Sequence, residues 1–127
     1  MKLLHTMIRV KDIEKSLMFY TKLFDMKLAE KRRLEDCWLY FLEDIESGQM
    51  LELTFNDDTP ENGYEIGSGF GHFAFGIKSM KDFTQKLNSL GYSYLYEPFD
   101  LTGKGSLIAF VKDPDGYEIE LIEKVQW

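Results

Sequence analysis

The sequence predicts an α+β fold made of two βαβββ repeats. Two patterns point there. Each half of the chain runs from a short apolar strand through a helical pattern into three further strand-like runs. The halves also share residues at matching intervals. With 127 residues, 44% of them hydrophobic, the chain suits one domain with a real core. The expectation is a single domain, 1–127, with repeat halves at about 1–60 and 68–127.

The first strand is read at about Leu3–Val10. A helix follows, because Ile13, Leu17, Tyr20 and Phe24 fall on one face. Asp12 suits its N-cap, since a carboxylate there accepts from the free amides of the first turn. Strands are expected at about Lys27–Leu34, Trp38–Leu42 and Met50–Phe55. Residues 57–69 are rich in Asp, Pro, Asn and Gly and read as a connecting loop. The plan then repeats. His72–Ile77 reads as a strand, and Ser79 as the cap of a helix with Met80, Phe83, Leu87 and Leu90 inward and Gly91 as its stop. Strands are expected at about Tyr92–Tyr96, Leu107–Val111 and Tyr117–Ile122, the last two joined by the turn Asp113-Pro114-Asp115-Gly116.

Bulk properties narrow the function. A net charge of −7 argues against nucleic acid, because phosphate binding needs a basic surface. No window is long and apolar enough to span a bilayer, and the first residues lack the apolar run of a signal peptide. A single cysteine, Cys37, excludes an intramolecular disulfide. A soluble cytoplasmic protein is expected, without nucleic-acid or membrane partners.

The chain has only two histidines, and they occupy equivalent places. "HTMIRVKD" (5–12) sets against "HFAFGIKS" (72–79): in each, His is followed by strand residues, an aliphatic residue, Lys and a helix cap. The ends of the halves match as well. "MLELTFN" carries Glu52 and "YEIELIE" carries Glu120, at nearly the same distance from His5 and His72 respectively. Singly, a strand histidine is commonly a hydrogen-bonded structural residue, and a strand glutamate commonly faces solvent. Their joint symmetry favours a shared role. Two imidazoles and two carboxylates brought together suit a divalent first-row ion, and the lack of a thiolate argues against a closed structural zinc site.

Strand alternation places Arg9 on the face of His5, about 13 Å along, and Asn56 on the face of Glu52. An Arg fork suits a carboxylate, so the pair reads as an anchor for the far end of an anionic substrate. A strand-end charge and a turn residue are equally good readings of the same positions. Phe70, Phe110 and Met7 are apolar residues that either shield the reacting atoms or belong to the core.

The stretches "LLHTMIRV", "FYTKLFDMKL", "LELTFN", "GFGHFAFGI" and "IAFVKDPDGYEIELIE" resemble the glyoxalase I (lactoylglutathione lyase) family of the vicinal-oxygen-chelate superfamily over nearly the whole chain. The resemblance implies that fold, and His5, Glu52, His72 and Glu120 as metal ligands. It implies Arg9 and Asn56 as contacts to the γ-glutamyl end of glutathione, the co-substrate. Some members carry an Arg shortly before the second histidine, where this chain has Ser68-Gly69. Lys104 is then the candidate for the glycyl carboxylate. The implied reaction isomerises the hemithioacetal of methylglyoxal and glutathione to S-lactoylglutathione through an enediolate, with Glu120 as base and Glu52 acting on the opposite face. The compact length resembles the short bacterial type, which implies Ni²⁺ or Co²⁺ in preference to Zn²⁺. A homodimer is expected, with the site closed either within one chain or across the dimer by exchange of halves. Rivals on the same fold are epimerases, thiol transferases and extradiol dioxygenases, and non-catalytic binding modules. The dioxygenases and thiol transferases typically use two His and one Glu, so Glu52 favours glyoxalase I.

Overall fold

A computed structural model describes residues 1–123. The chain divides into two compact units, one spanning Met1–Glu65 and the other starting at Ile66. The first contains β1 (His5–Arg9), α1 (Ile13–Met18), a π-helical turn over Phe19–Leu23, β2 (Lys27–Arg33), β3 (Cys37–Glu43) and β4 (Met50–Asn56). The second contains β5 (His72–Ile77), α2 (Met80–Ser89), β6 (Tyr96–Asp100), β7 (Leu107–Lys112) and β8 (Glu118–Glu123). Each unit is a four-stranded mixed sheet, in the orders β1-β4-β3-β2 and β5-β8-β7-β6. β1 pairs with β4 in parallel, as β5 does with β8, and the remaining pairs are antiparallel. The twofold βαβββ plan therefore holds. Among the described residues no helix is long and apolar enough to cross a membrane.

Alternation explains the layering within each unit. In β8, Ile119, Leu121 and Glu123 are buried while Glu118, Glu120 and Ile122 are half-buried on the other face. In β4, Leu51 and Leu53 join the core with Ile8 of β1. Phe19, Tyr20 and Leu23 are also buried in that unit, as are Phe83 and Leu87 of α2 in the second. Both predicted helix caps form. Asp12 accepts from the Lys15 amide and Ser79 from the Asp82 amide. Buried Glu123 adds a second acceptor at α2, taking the Met80 amide at 2.6 Å.

Three expectations need correction. The first strand starts at His5 rather than Leu3, because β4 begins at Met50, the register partner of His5, and the exposed Leu3 and Leu4 have no ladder to join. The first helix is not one continuous α-helix. Thr21 donates its hydroxyl to the Leu17 carbonyl at 2.6 Å, and the chain widens into the π turn there. The buried set becomes Ser16, Phe19, Tyr20 and Leu23, with Leu17 and Phe24 only half-buried. Finally, the sixth strand runs Tyr96–Asp100, not Tyr92–Tyr96. Gly91 takes the left-handed conformation (φ 82°) that ends α2, and the Tyr92 amide bonds back to the Leu87 carbonyl. Tyr94 then lies along the helix, its hydroxyl 2.7 Å from that of Thr84, so the aromatic run belongs to the turn. β6 is an edge strand, which is why it tolerates Pro98. Other boundaries move by a residue or two, and the Asp113–Gly116 turn closes as expected, with the Gly116 amide on the Asp113 carbonyl.

Candidate metal centre

The first unit builds one pair of donors. His5 opens β1, and Glu52 sits on β4 opposite Met7, one pleat further along. His5 Nε2 lies 3.5 Å from Glu52 Oε1. The other carboxylate oxygen, Oε2, accepts from the Thr54 hydroxyl at 2.7 Å, and both residues are buried. Phe41 faces Glu52 across the antiparallel β3–β4 ladder. Its ring stands edge-on to the His5 ring at 5.6 Å and 78°.

The second unit repeats this. His72 opens β5, and Glu120 sits on β8 opposite Ala74. His72 Nε2 lies 3.1 Å from Glu120 Oε2. Phe110 of β7 faces Glu120 and stands edge-on to His72 at 5.4 Å and 87°. The two sites differ at one neighbour. Thr54, opposite Arg9, has its counterpart in Ile122, opposite Gly76. Glu52 is therefore tied by a hydroxyl, whereas the position equivalent to Thr54 offers Glu120 none.

Each pair fits a shared ion. Two donors about 2.1 Å from one ion stand about 3 Å apart at a right angle and slightly more at a tetrahedral angle. The 3.1 and 3.5 Å separations match that span. Neutral imidazole with carboxylate is a donor set for divalent first-row ions. Cys37 offers no thiolate, as burial and Asp36 push its pKa up. Among the described residues, no group of three or more His, Cys, Asp or Glu side chains gathers to hold a metal.

Arg9 lies on the His5 face of β1, exposed, and Asn56 is half-buried at the end of β4 on the Glu52 face. Lys104 is on an exposed loop of the second unit, and its ammonium makes no ion pair among the described residues. That loop is organised by Asp100, whose carboxylate accepts from the amides of Thr102, Gly103 and Gly105. Phe110 is half-buried against His72, and Phe70 and Met7 are partly exposed. Phe41 and Thr54 escaped the sequence reading. The signal for Phe41 was present, because "LYFLE" and "IAFVK" carry a Phe in the same place of each repeat.

Residues 2–121 match the family model described as Glyoxalase/Bleomycin resistance protein/Dioxygenase superfamily. The chain belongs to this superfamily. Among similar members, a lactoylglutathione lyase of Arabidopsis thaliana is 38% identical over 97% of this chain, which spans 44% of that protein. A probable lactoylglutathione lyase of Synechocystis is also 38% identical, with 97% of this chain and 95% of that protein covered. The crystal structure of glyoxalase I from Zea mays superposes with a TM-score of 0.85 at 35% identity, over 98% of this chain and 45% of that one. The chain thus spans under half the length of these two plant proteins and nearly the whole of the Synechocystis one.

Proposed function

We propose that this chain is a lactoylglutathione lyase that isomerises the hemithioacetal of methylglyoxal and glutathione to S-lactoylglutathione, removing methylglyoxal in the cytoplasm. The observation that carries this reading is the duplicated His–Glu pair, each on a parallel ladder with an edge-on Phe. His5, Glu52, His72 and Glu120 would together hold one divalent ion, Ni²⁺ or Co²⁺ in preference to Zn²⁺, with both halves serving one catalytic unit in a homodimer. Such an ion supplies Lewis-acid stabilisation of the negative charge that develops on the two vicinal oxygens.

The remaining work falls to the side chains. Glu120 takes the proton from C1 of the hemithioacetal, leaving an enediolate, and returns it to C2 while the C1 hydroxyl proton passes to the C2 oxygen, so the proton count closes without an external acid. Its surroundings support this choice over Glu52. Ile122 gives the Glu120 carboxylate no hydroxyl to hold it, whereas the Thr54 hydroxyl binds Glu52. Arg9 grips the γ-glutamyl carboxylate as a fork, Asn56 contacts the same end, and Lys104 takes the glycyl carboxylate.

The test is a lyase assay on metal-free protein titrated separately with Ni²⁺, Co²⁺ and Zn²⁺, following thioester formation. Activity restored at one ion per site, most strongly by Ni²⁺ or Co²⁺, is the expected result. No thioester with any of the three would overturn the reading.

A further inference from the structure

We infer that Tyr64 is a positioning residue that locks the Asn56 amide with its oxygen outward, making it an acceptor for the α-ammonium group of the substrate. This deepens the function proposed above and rests on it.

Counting protons fixes each donor and acceptor around Asn56. The Thr59 hydroxyl lies 2.6 Å from the Asn56 backbone carbonyl, which can only accept, so the single Thr59 proton goes there. The Tyr64 hydroxyl lies 3.2 Å from Thr59 Oγ1 and must be the donor in that contact. The Tyr64 oxygen is then left as an acceptor toward the Asn56 side chain, 2.9 Å away. Only the NH₂ end of the amide can fill that place. The three residues thus form a one-way ring: side chain of Asn56 to Tyr64, Tyr64 to Thr59, Thr59 back to the Asn56 carbonyl. An amide's two ends have nearly the same shape, and here the ring decides between them.

The consequence falls on Asn56 Oδ1. It has no partner among the described residues, where no buried side-chain polar atom is left unsatisfied, so it reaches solvent. Asn56 lies one pleat beyond Thr54, the register partner of Arg9, on the same sheet face. A guanidinium fork beside a fixed oxygen acceptor recognises a carboxylate next to an ammonium, the zwitterionic end of an α-amino acid. Without Tyr64 the amide turns freely, and that preference weakens.

The experiment compares S-methylglutathione with its des-amino analogue, in which hydrogen replaces the α-amino group, by calorimetric titration of metal-loaded protein. Wild type should bind the ammonium form about tenfold more tightly, as for a charge-assisted hydrogen bond. Tyr64→Phe should reduce that ratio toward one while changing the affinity for the des-amino analogue less than twofold. Thr59→Val should act in the same direction and Thr59→Ser should restore the ratio. A wild-type-like ratio in both Tyr64→Phe and Thr59→Val overturns the inference, as does a wild type that does not distinguish the two ligands. A Tyr64-dependent preference in a protein that turns over no hemithioacetal leaves the ring in place and overturns the lyase reading alone.

Discussion

Glu52 and Glu120 stand at equivalent points of two repeats, and one hydroxyl separates their surroundings. Thr54 Oγ1 at 2.7 Å ties Glu52, and Ile122 offers Glu120 nothing to bind. If Glu120 carries the proton, Glu120→Gln should lower kcat by about 100-fold or more, the usual range for a positioned base. Glu52→Gln should cost less turnover at matched metal content. Thr54→Val should narrow the gap between the two variants by freeing Glu52. Single-turnover rates at equal metal occupancy read all three, and a Glu120→Gln enzyme with near-normal kcat would remove Glu120 from the role. The edge-on phenylalanines Phe41 and Phe110 are the same in both halves, so they do not contribute to this difference.

At the level of elements, the loop after β6 depends on one carboxylate. Backbone amides, that of Gly105 first and then those of Gly103 and Thr102, hold Asp100 below the ordinary carboxylate range. Its pKa is therefore lower folded than unfolded. The stabilisation is complete above the unfolded value of about 3.9 and is lost as pH falls through the lower folded value. Amide exchange at Gly103 and Gly105 should stay slow from neutral pH down to about 4 and accelerate below it, relative to the intrinsic rate. Asp100→Asn should remove that transition. Much at this scale was legible in the sequence: β5 is where alternation put it, and Asp12 and Ser79 cap the helices they precede. What escaped reading was non-local. Tyr92 and Tyr94 have strand-like spacing, but the Leu87 carbonyl and the Thr84 hydroxyl claim them for the turn after α2. The Thr21 hydroxyl that widens the first helix looks, in sequence, like any polar helix position. Tyr64 lies in a segment whose composition says only loop, and its hold on Asn56 exists once that loop folds back. The candidate ligands were legible because duplication printed them twice.

At the scale of the whole molecule, the proposed function calls for both His–Glu pairs at one ion. If two copies of the chain exchange halves in a dimer, each centre takes His5 and Glu52 from one copy and His72 and Glu120 from the other. A chain with both His5→Ala and Glu52→Ala, mixed and re-associated with one carrying His72→Ala and Glu120→Ala, should then regain activity. Random pairing gives half heterodimers with one intact centre each, or about a quarter of wild-type activity. Centres built within single chains would give no recovery, which separates the two assemblies in one assay. The parallel ladders bear on the order of folding. β1 and β4 are the first and last strands of their unit, as β5 and β8 are of theirs, so each ladder joins segments distant along the chain. Contacts of such high sequence separation form slowly, after the local hairpins between the later strands. The donor pairs lie on these closing ladders and are expected to form late in folding. Added cation should consequently slow unfolding more than it speeds refolding. A nascent chain whose ladders are still open presents only isolated single donors, and stray ions meet no chelate to seize before the scaffold is complete.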